Sequence, residues 1–110
     1  MLDEQQFKTR ADQSLEDLYD SLNRASEEHD GFEADFNNGA LSIEFEEPPA
    51  KFVVSPNAPV RQIWVSAHTR SFKLDWNEQQ GAFVLAETGQ SLNDLIGWAV
   101  GTQIGEEVVL

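Results

Sequence analysis

No cysteine occurs anywhere in the chain. Disulfides, thiolate-bound metals and a cysteine nucleophile are therefore excluded, and the absence fits a reducing compartment. Long apolar runs are missing too, with nothing near the ~20 residues needed to cross a bilayer. The opening Leu2-Asp3-Glu4-Gln5-Gln6-Phe7 is acidic and lacks the basic and apolar regions of a targeting peptide, so the expected location is cytoplasmic. Basic residues are scarce: 7 Lys and Arg stand against 20 Asp and Glu, a net charge of −13. Phosphate backbones and anionic membranes demand the opposite sign, so no nucleic acid and no membrane is expected as partner. Catalytic signatures are absent as well: there is no G-x-S-x-G elbow, no glycine-rich phosphate loop and no His/Cys cluster at zinc spacing. His29 and His68 fall in turn-like stretches without a neighbouring dyad partner. An enzyme is not expected.

What the chain does have is core material. The hydrophobic fraction is 40%, with three Trp and seven Phe among 110 residues, enough for one folded domain spanning 1–110 without disulfides. Its charge is lopsided. Residues 1–47 hold 14 acidic and 3 basic side chains, a net of −11, whereas residues 48–110 hold 6 and 4, a net of −2.

The acidic half opens with a helical pattern from Leu2 to about Ala25. Phe7, Ala11, Leu15, Leu18 and Leu22 recur at spacings of three and four and form one apolar stripe. Asp3 and Glu4 suit the positive end of the helix dipole. Asp12, Glu16 and Asp20 follow one another at i, i+4 and i+8 on the side away from the stripe. Like charges at that spacing cost a helix about 0.2–0.5 kcal/mol per pair, and only Lys8, Arg10 and Arg24 dilute them.

Next comes a polar turn, Ser26 to Gly31, and then a series of short alternating runs. Phe32, Ala34 and Phe36 share one parity, as do Leu41, Ile43 and Phe45, and Asn37-Asn38-Gly39 between them is a hairpin signal. Glu47-Pro48-Pro49-Ala50 breaks the pattern before a strand at Lys51–Val54, and Ser55–Pro59 reads as a second turn. Gln62–Ala67 and Phe72–Trp76 are the next strands, linked by His68-Thr69-Arg70-Ser71, and Ala82–Leu85 is the last. Ser91 is a helix N-cap with Asp94 three residues on, and Leu92, Leu95, Ile96, Ala99 and Ile104 give the second helix its apolar face. Gly97 and Gly101 weaken that helix by about 1 kcal/mol each relative to alanine, which points to close packing. Gly105 ends it, and Glu106–Leu110 is a tail.

Hairpin-length turns make an antiparallel sheet. The expected fold is α+β: a two-layer α/β sandwich whose five- or six-stranded sheet carries the N- and C-terminal helices on one face. The other face is then open to solvent. Ile63, Val65 and Ala67 share the core parity, which leaves Gln62, Trp64 and Ser66 on the open side near Lys73. A large aromatic there marks a contact surface; the alternative is that both faces are covered and Trp64 belongs to the core.

Carboxylates are the only other chemistry on offer. Asp3, Glu4, Asp12, Glu16, Asp17, Asp20, Glu27, Glu28, Asp30, Glu33 and Asp35 can follow the first helix and the adjoining strand. All-oxygen ligands suit hard cations, including Mg²⁺, Ca²⁺, Mn²⁺ and iron ions, but no EF-hand or other cage is encoded. The alternative is a solvated acidic face that serves a metal-independent module for a basic partner.

The segments Gln62-Ile63-Trp64-Val65-Ser66 and Phe72-Lys73-Leu74-Asp75-Trp76, with Ser91-Leu92 opening the last helix, resemble the frataxin family, specifically its bacterial members. Asn38-Gly39-Ala40-Leu41 and the early Leu2-Asp3-Glu4 and Ala11-Asp12 pairs extend the likeness over essentially the whole chain. The resemblance implies the same sandwich, weak Fe²⁺/Fe³⁺ binding on an acidic ridge with no organic cofactor, and a role in iron–sulfur cluster assembly. The implied partners are the cysteine desulfurase and its scaffold protein, met by a chain that is monomeric without iron. By position the ridge matches Asp12, Glu16, Asp20, Glu27, Asp30 and Glu33, with Asp3 and Glu4 added from the acidic helix start. The partner surface matches Gln62, Trp64 and Lys73, to which strand parity adds Ser66. Asn23 and Arg24 interrupt the acidic run, Ser55 replaces a usual Asn, and His29 falls within the ridge.

Overall fold

A computed structural model describes residues 2–46 and 48–110; Met1 and Glu47, the latter part of the predicted chain break before the third strand, lie outside the described residues. The element order is α1 (Glu4–Glu28), β1 (Phe32–Asn37), β2 (Ala40–Glu46), β3 (Pro49–Asn57), a short 3₁₀ turn (Ala58–Val60), β4 (Gln62–Ala67), β5 (Arg70–Asn77), β6 (Ala82–Val84) and α2 (Leu92–Ile104). The six strands form one antiparallel sheet in the order β1-β2-β3-β4-β5-β6, so spatial neighbours are also neighbours along the chain. Both helices lie on one face, and the fold is the two-layer α/β sandwich expected from the hydrophobic pattern.

The helix α1 starts at a complete capping box. Gln6 N–H donates to Asp3 Oδ1 at 2.8 Å, and Asp3 N–H donates to Gln6 Oε1 at 3.0 Å. These bonds satisfy backbone donors that a helix start leaves unpaired. The predicted stripe is the buried face: Phe7, Ala11, Leu15, Leu18 and Leu22 are all buried, joined by Ser21 and Ala25. The helix runs on to Glu28, so Ser26–Glu28, read from sequence as a turn, belong to its last turn. Ala25 explains the extension: it continues the stripe one turn past Leu22 and is buried.

On the sheet, Leu41, Ile43, Phe52, Val54, Ile63, Val65 and Leu74 point into the core between the layers. Phe52 on β3 lies 4.6 Å from the Phe45 ring and 4.9 Å from the His68 ring, and Phe7 of α1 meets Phe83 of β6 edge-on at 5.8 Å. Phe36 keeps core parity but is exposed, because it stands at the end of the edge strand; the Tyr19 ring leans on it at 5.9 Å. β3 is longer than predicted. It begins at Pro49 and continues through Pro56, which pairs with Ile63 of β4 beyond the last β2 partner at Val54. Only one side of the strand is paired there, the setting in which a proline without an N–H is tolerated.

The link between β4 and β5 is also tighter than the predicted four residues. His68 and Thr69 alone make the turn, both with positive φ (52° and 62°), and Arg70 and Ser71 already belong to β5. His68 is tied down: its Nε2 donates to the Ala99 carbonyl of α2 at 2.9 Å. The C-terminal residues do not form a free tail. Gly105 (φ 74°) caps α2 in the left-handed region, the N–H groups of Gly105 and Glu106 both reach the Gly101 carbonyl, and Val108 is buried. Gly97 and Gly101 are what admit this return: an added Cβ would lie 2.9 Å from the Val108 carbonyl oxygen and 2.6 Å from that of Glu106, respectively. His29, just past α1, closes the arrangement with Nδ1 2.8 Å from Glu106 Oε1.

Candidate functional site

Two surfaces carry the predicted site residues. The first is the outer side of α1. At 100° per residue Asp12, Glu16, Asp20 and Glu27 fall on one helix face, opposite the buried stripe, and all four are exposed. They span roughly 22 Å at 1.5 Å per residue. Asp12 is paired with Lys8 at 3.0 Å, both side chains being well exposed, a kind of pair that holds little energy. Asp17, about a quarter-turn round the helix from that line, accepts from Gln13 Nε2 at 2.9 Å.

The other predicted acids lie elsewhere. Asp3 spends its carboxylate on the helix cap, and Glu4 sits in the first turn, about two turns before Asp12. Asp30 is exposed just beyond α1. Glu33 has the opposite parity to the buried Phe32 and Ala34, so it projects from the open face of the sheet. There it stands directly across from Glu44, whose other neighbour Lys51 approaches to 4.0 Å. Like charges in register disfavour a sheet, and Lys51 partly offsets this. Among the described residues, no three His, Cys, Asp or Glu side chains converge as ligands for one metal ion. Any ion on these carboxylates would keep most of its water.

The second surface is the open sheet face around Trp64, which is 38% exposed. Its parity was legible in the sequence, and the alternative of a core tryptophan does not hold. Ser55, Trp64 and Lys73 form one cross-strand row, and Asn57, Gln62 and Asp75 the next. Lys73 Nζ lies over the Trp64 ring, 4.9 Å from its centroid. The Trp64 indole N–H donates to Gln62 Oε1 at 2.9 Å, and Gln62 Nε2 donates to Asp75 Oδ1 at 3.1 Å. Ser66 continues the face, opposite Val53 and Ser71. With Ser55, Lys73 and the flank of Trp64 these residues line a shallow recess of about 410 Å³. So Gln62, Trp64, Ser66 and Lys73 come together as predicted.

Sequence reasoning missed Asp75 as a member of this patch, because its contact depends on the register of β4 against β5. It also missed Trp98, 44% exposed on α2, whose ring meets His68 and Phe72 edge-on at 5.8 and 6.4 Å. Trp98 lies on the exposed line of α2 between Asp94 and Thr102, and an aromatic out of phase with the apolar stripe is the signal that could have found it.

An antiparallel sheet with one open face, backed by two helices of which the first is acidic on its outside, places the molecule among open-faced α/β sandwiches. A model of the frataxin-like domain matches residues 1–106, and the chain belongs to the frataxin family. An iron-sulfur cluster assembly protein CyaY of Azotobacter vinelandii is 30% identical over 103 residues, covering 92% of each chain. The protein of that name from Pseudomonas aeruginosa is 31% identical over 97 residues, covering 84% of this chain and 89% of its own. Among solved structures, a frataxin from Psychromonas ingrahamii superposes with a TM-score of 0.75 over 98% of this chain and 97% of that one, at 22% identity. These relatives bear the name of an assembly protein and not of an enzyme.

Proposed function

We propose that this protein acts in iron–sulfur cluster assembly in the cytoplasm, binding iron weakly on α1 and docking through the Trp64 face on a cysteine desulfurase–scaffold complex. In this reading it is an iron donor or sensor that regulates the complex, and a monomer without iron. The observation that carries it is the separation of two surfaces in one small domain. The carboxylates of Asp12, Glu16, Asp20 and Glu27 lie outside the helical layer, and the exposed aromatic lies on the opposite side of the sheet. The name shared by the relatives supports the pathway. The iron is cargo: carboxylates at i, i+4, about 5–6 Å apart at Cβ, can share one hydrated Fe²⁺ and release it again.

Trp64→Ala should weaken capture of the cysteine desulfurase by about thirtyfold or more, as expected for a central aromatic anchor. Its cost to folding should stay below about 1.5 kcal/mol, because an exposed cation–π pair contributes only about 0.5–1 kcal/mol. A pull-down alongside urea unfolding of the same variant separates the two. Undiminished capture would remove the docking surface.

Low equivalents of Fe²⁺ should selectively broaden the amide signals of Asp12, Glu16, Asp20 and Glu27 and leave those of β4 and β5 sharp. If the signals of α1 stay unchanged at several equivalents while Trp64→Ala still loses capture, the protein is a metal-independent interaction module.

A further inference from the structure

We infer that Asp75 is a positioning residue for Trp64, acting through Gln62; this rests on the reading of the Trp64 face as the partner contact. The chemistry of the chain of contacts allows only one arrangement. An indole N–H can only donate, an ionised carboxylate can only accept, and a primary amide does both. Gln62 stands between the two, with Nε2 3.1 Å from Asp75 Oδ1 and Oε1 2.9 Å from Trp64 Nε1. Rotating its amide by half a turn would set oxygen against oxygen and N–H against N–H, losing both bonds. Asp75 thus dictates the orientation of the amide, and the amide dictates where the indole N–H points.

The backbone keeps these side chains in reach. Gln62 is directly opposite Asp75 and Trp64 directly opposite Lys73 in the β4–β5 pairing, so the four form a two-by-two patch. Lys73, 4.9 Å from the ring centroid, holds the aromatic face while the relay holds its edge. An exposed tryptophan fixed from two sides has less rotamer freedom to lose when a partner closes on it, which is the energetic benefit of preorganisation. Asp75 itself need not touch the partner.

The test reads the indole directly. The Trp64 Nε1–H signal in a ¹⁵N-resolved spectrum is assigned by its disappearance in Trp64→Phe, and desulfurase binding is measured on the same variants. Asp75→Ala should move that signal toward the position of a water-exposed indole and speed its hydrogen exchange. Binding should weaken about three- to tenfold, the range set by one lost hydrogen bond. Asp75→Asn, whose amide oxygen can accept the same Gln62 N–H, should restore both readouts. An indole signal unmoved by Asp75→Ala overturns the relay. Asparagine behaving like alanine also overturns it, because charge and not positioning would then be the role. If the signal moves as expected but Trp64→Ala binds the desulfurase as tightly as the wild type, the partner reading falls and the relay loses its function; that result is distinct from an unmoved indole.

Discussion

Phe52→Ala should lower the unfolding free energy by about 3–5 kcal/mol, the range for removing a fully buried phenylalanine. Its ring is 2% exposed. It fills the middle of the sheet, opposite Ile43 of β2 and against the rings of Phe45 and His68. His68 is in turn bonded to the Ala99 carbonyl, so a void here also loosens the tie between the β4–β5 turn and α2. Domains of this size are stable by about 5–15 kcal/mol in total, so the variant should approach the edge of folding. Urea unfolding should show the midpoint falling with little change in slope, and thermal unfolding a drop on the order of 15 °C. Phe52→Leu, which keeps most of the volume, should cost far less. A loss below about 1 kcal/mol for alanine would mean that the site collapses around the gap, contrary to close packing.

The second large effect is expected at Gly101. A leucine there is a better helix former than glycine by nearly 1 kcal/mol. The structure reverses that gain, because even a Cβ would stand 2.6 Å from the Glu106 carbonyl oxygen, a backbone atom held within the helix cap. The returning C-terminal residues must then leave, uncovering Val108 and the glycine groove beneath it. Overpacking costs about 1–3 kcal/mol and the exposed aliphatic about 1.5 more, so Gly101→Leu should destabilise by about 3 kcal/mol. The control is the same substitution in a chain ending at Gly105, where the obstructing carbonyl is gone. There the penalty should nearly vanish, and Gly101→Ala should become stabilising by up to about 1 kcal/mol. Equal penalties in both chains would show that the return of the C-terminus is not what the glycine serves.

Much of this was legible in the chain because the patterns concerned depend only on period. The α1 stripe, the Asn-Gly hairpin, the N-cap at Ser91 and the open-face parity of Trp64 all follow from spacings of three to four or of two. What stayed hidden depended on register and on long-range contact. Reading His68–Ser71 as a four-residue link would set Trp64 opposite Asp75; the real two-residue turn puts Lys73 there. A shift of two residues preserves faces, so the open surface and the nearness of Trp64 to Lys73 were legible although the turn length was not. The turn gave no warning, since His-Thr lacks the glycine that positive φ normally selects. Likewise nothing local marks Glu106–Leu110 as packed: the signal was Gly97 and Gly101, and their occupant lies beyond the helix. On the acidic side, composition located the charge, but parity divides it, with Glu33 on the open face and Asp12 to Glu27 outside α1.

The order of strands in the sheet bears on how quickly such a chain can assemble. Every strand pair joins segments that are consecutive in sequence. Each pairing therefore closes only a short loop, and the entropy of closure is small. A sheet of this kind can grow one hairpin at a time, in contrast to Greek-key sandwiches that must first bring distant segments together. The costly closures are left to the ends of the chain, where α1 and α2 meet on one face of the finished sheet and the His29–Glu106 contact joins residues 77 apart. Docking of the termini, and not pairing of the sheet, should therefore come late in folding, with hydrogen exchange at α1 and α2 opening before that of the central strands as the expected result.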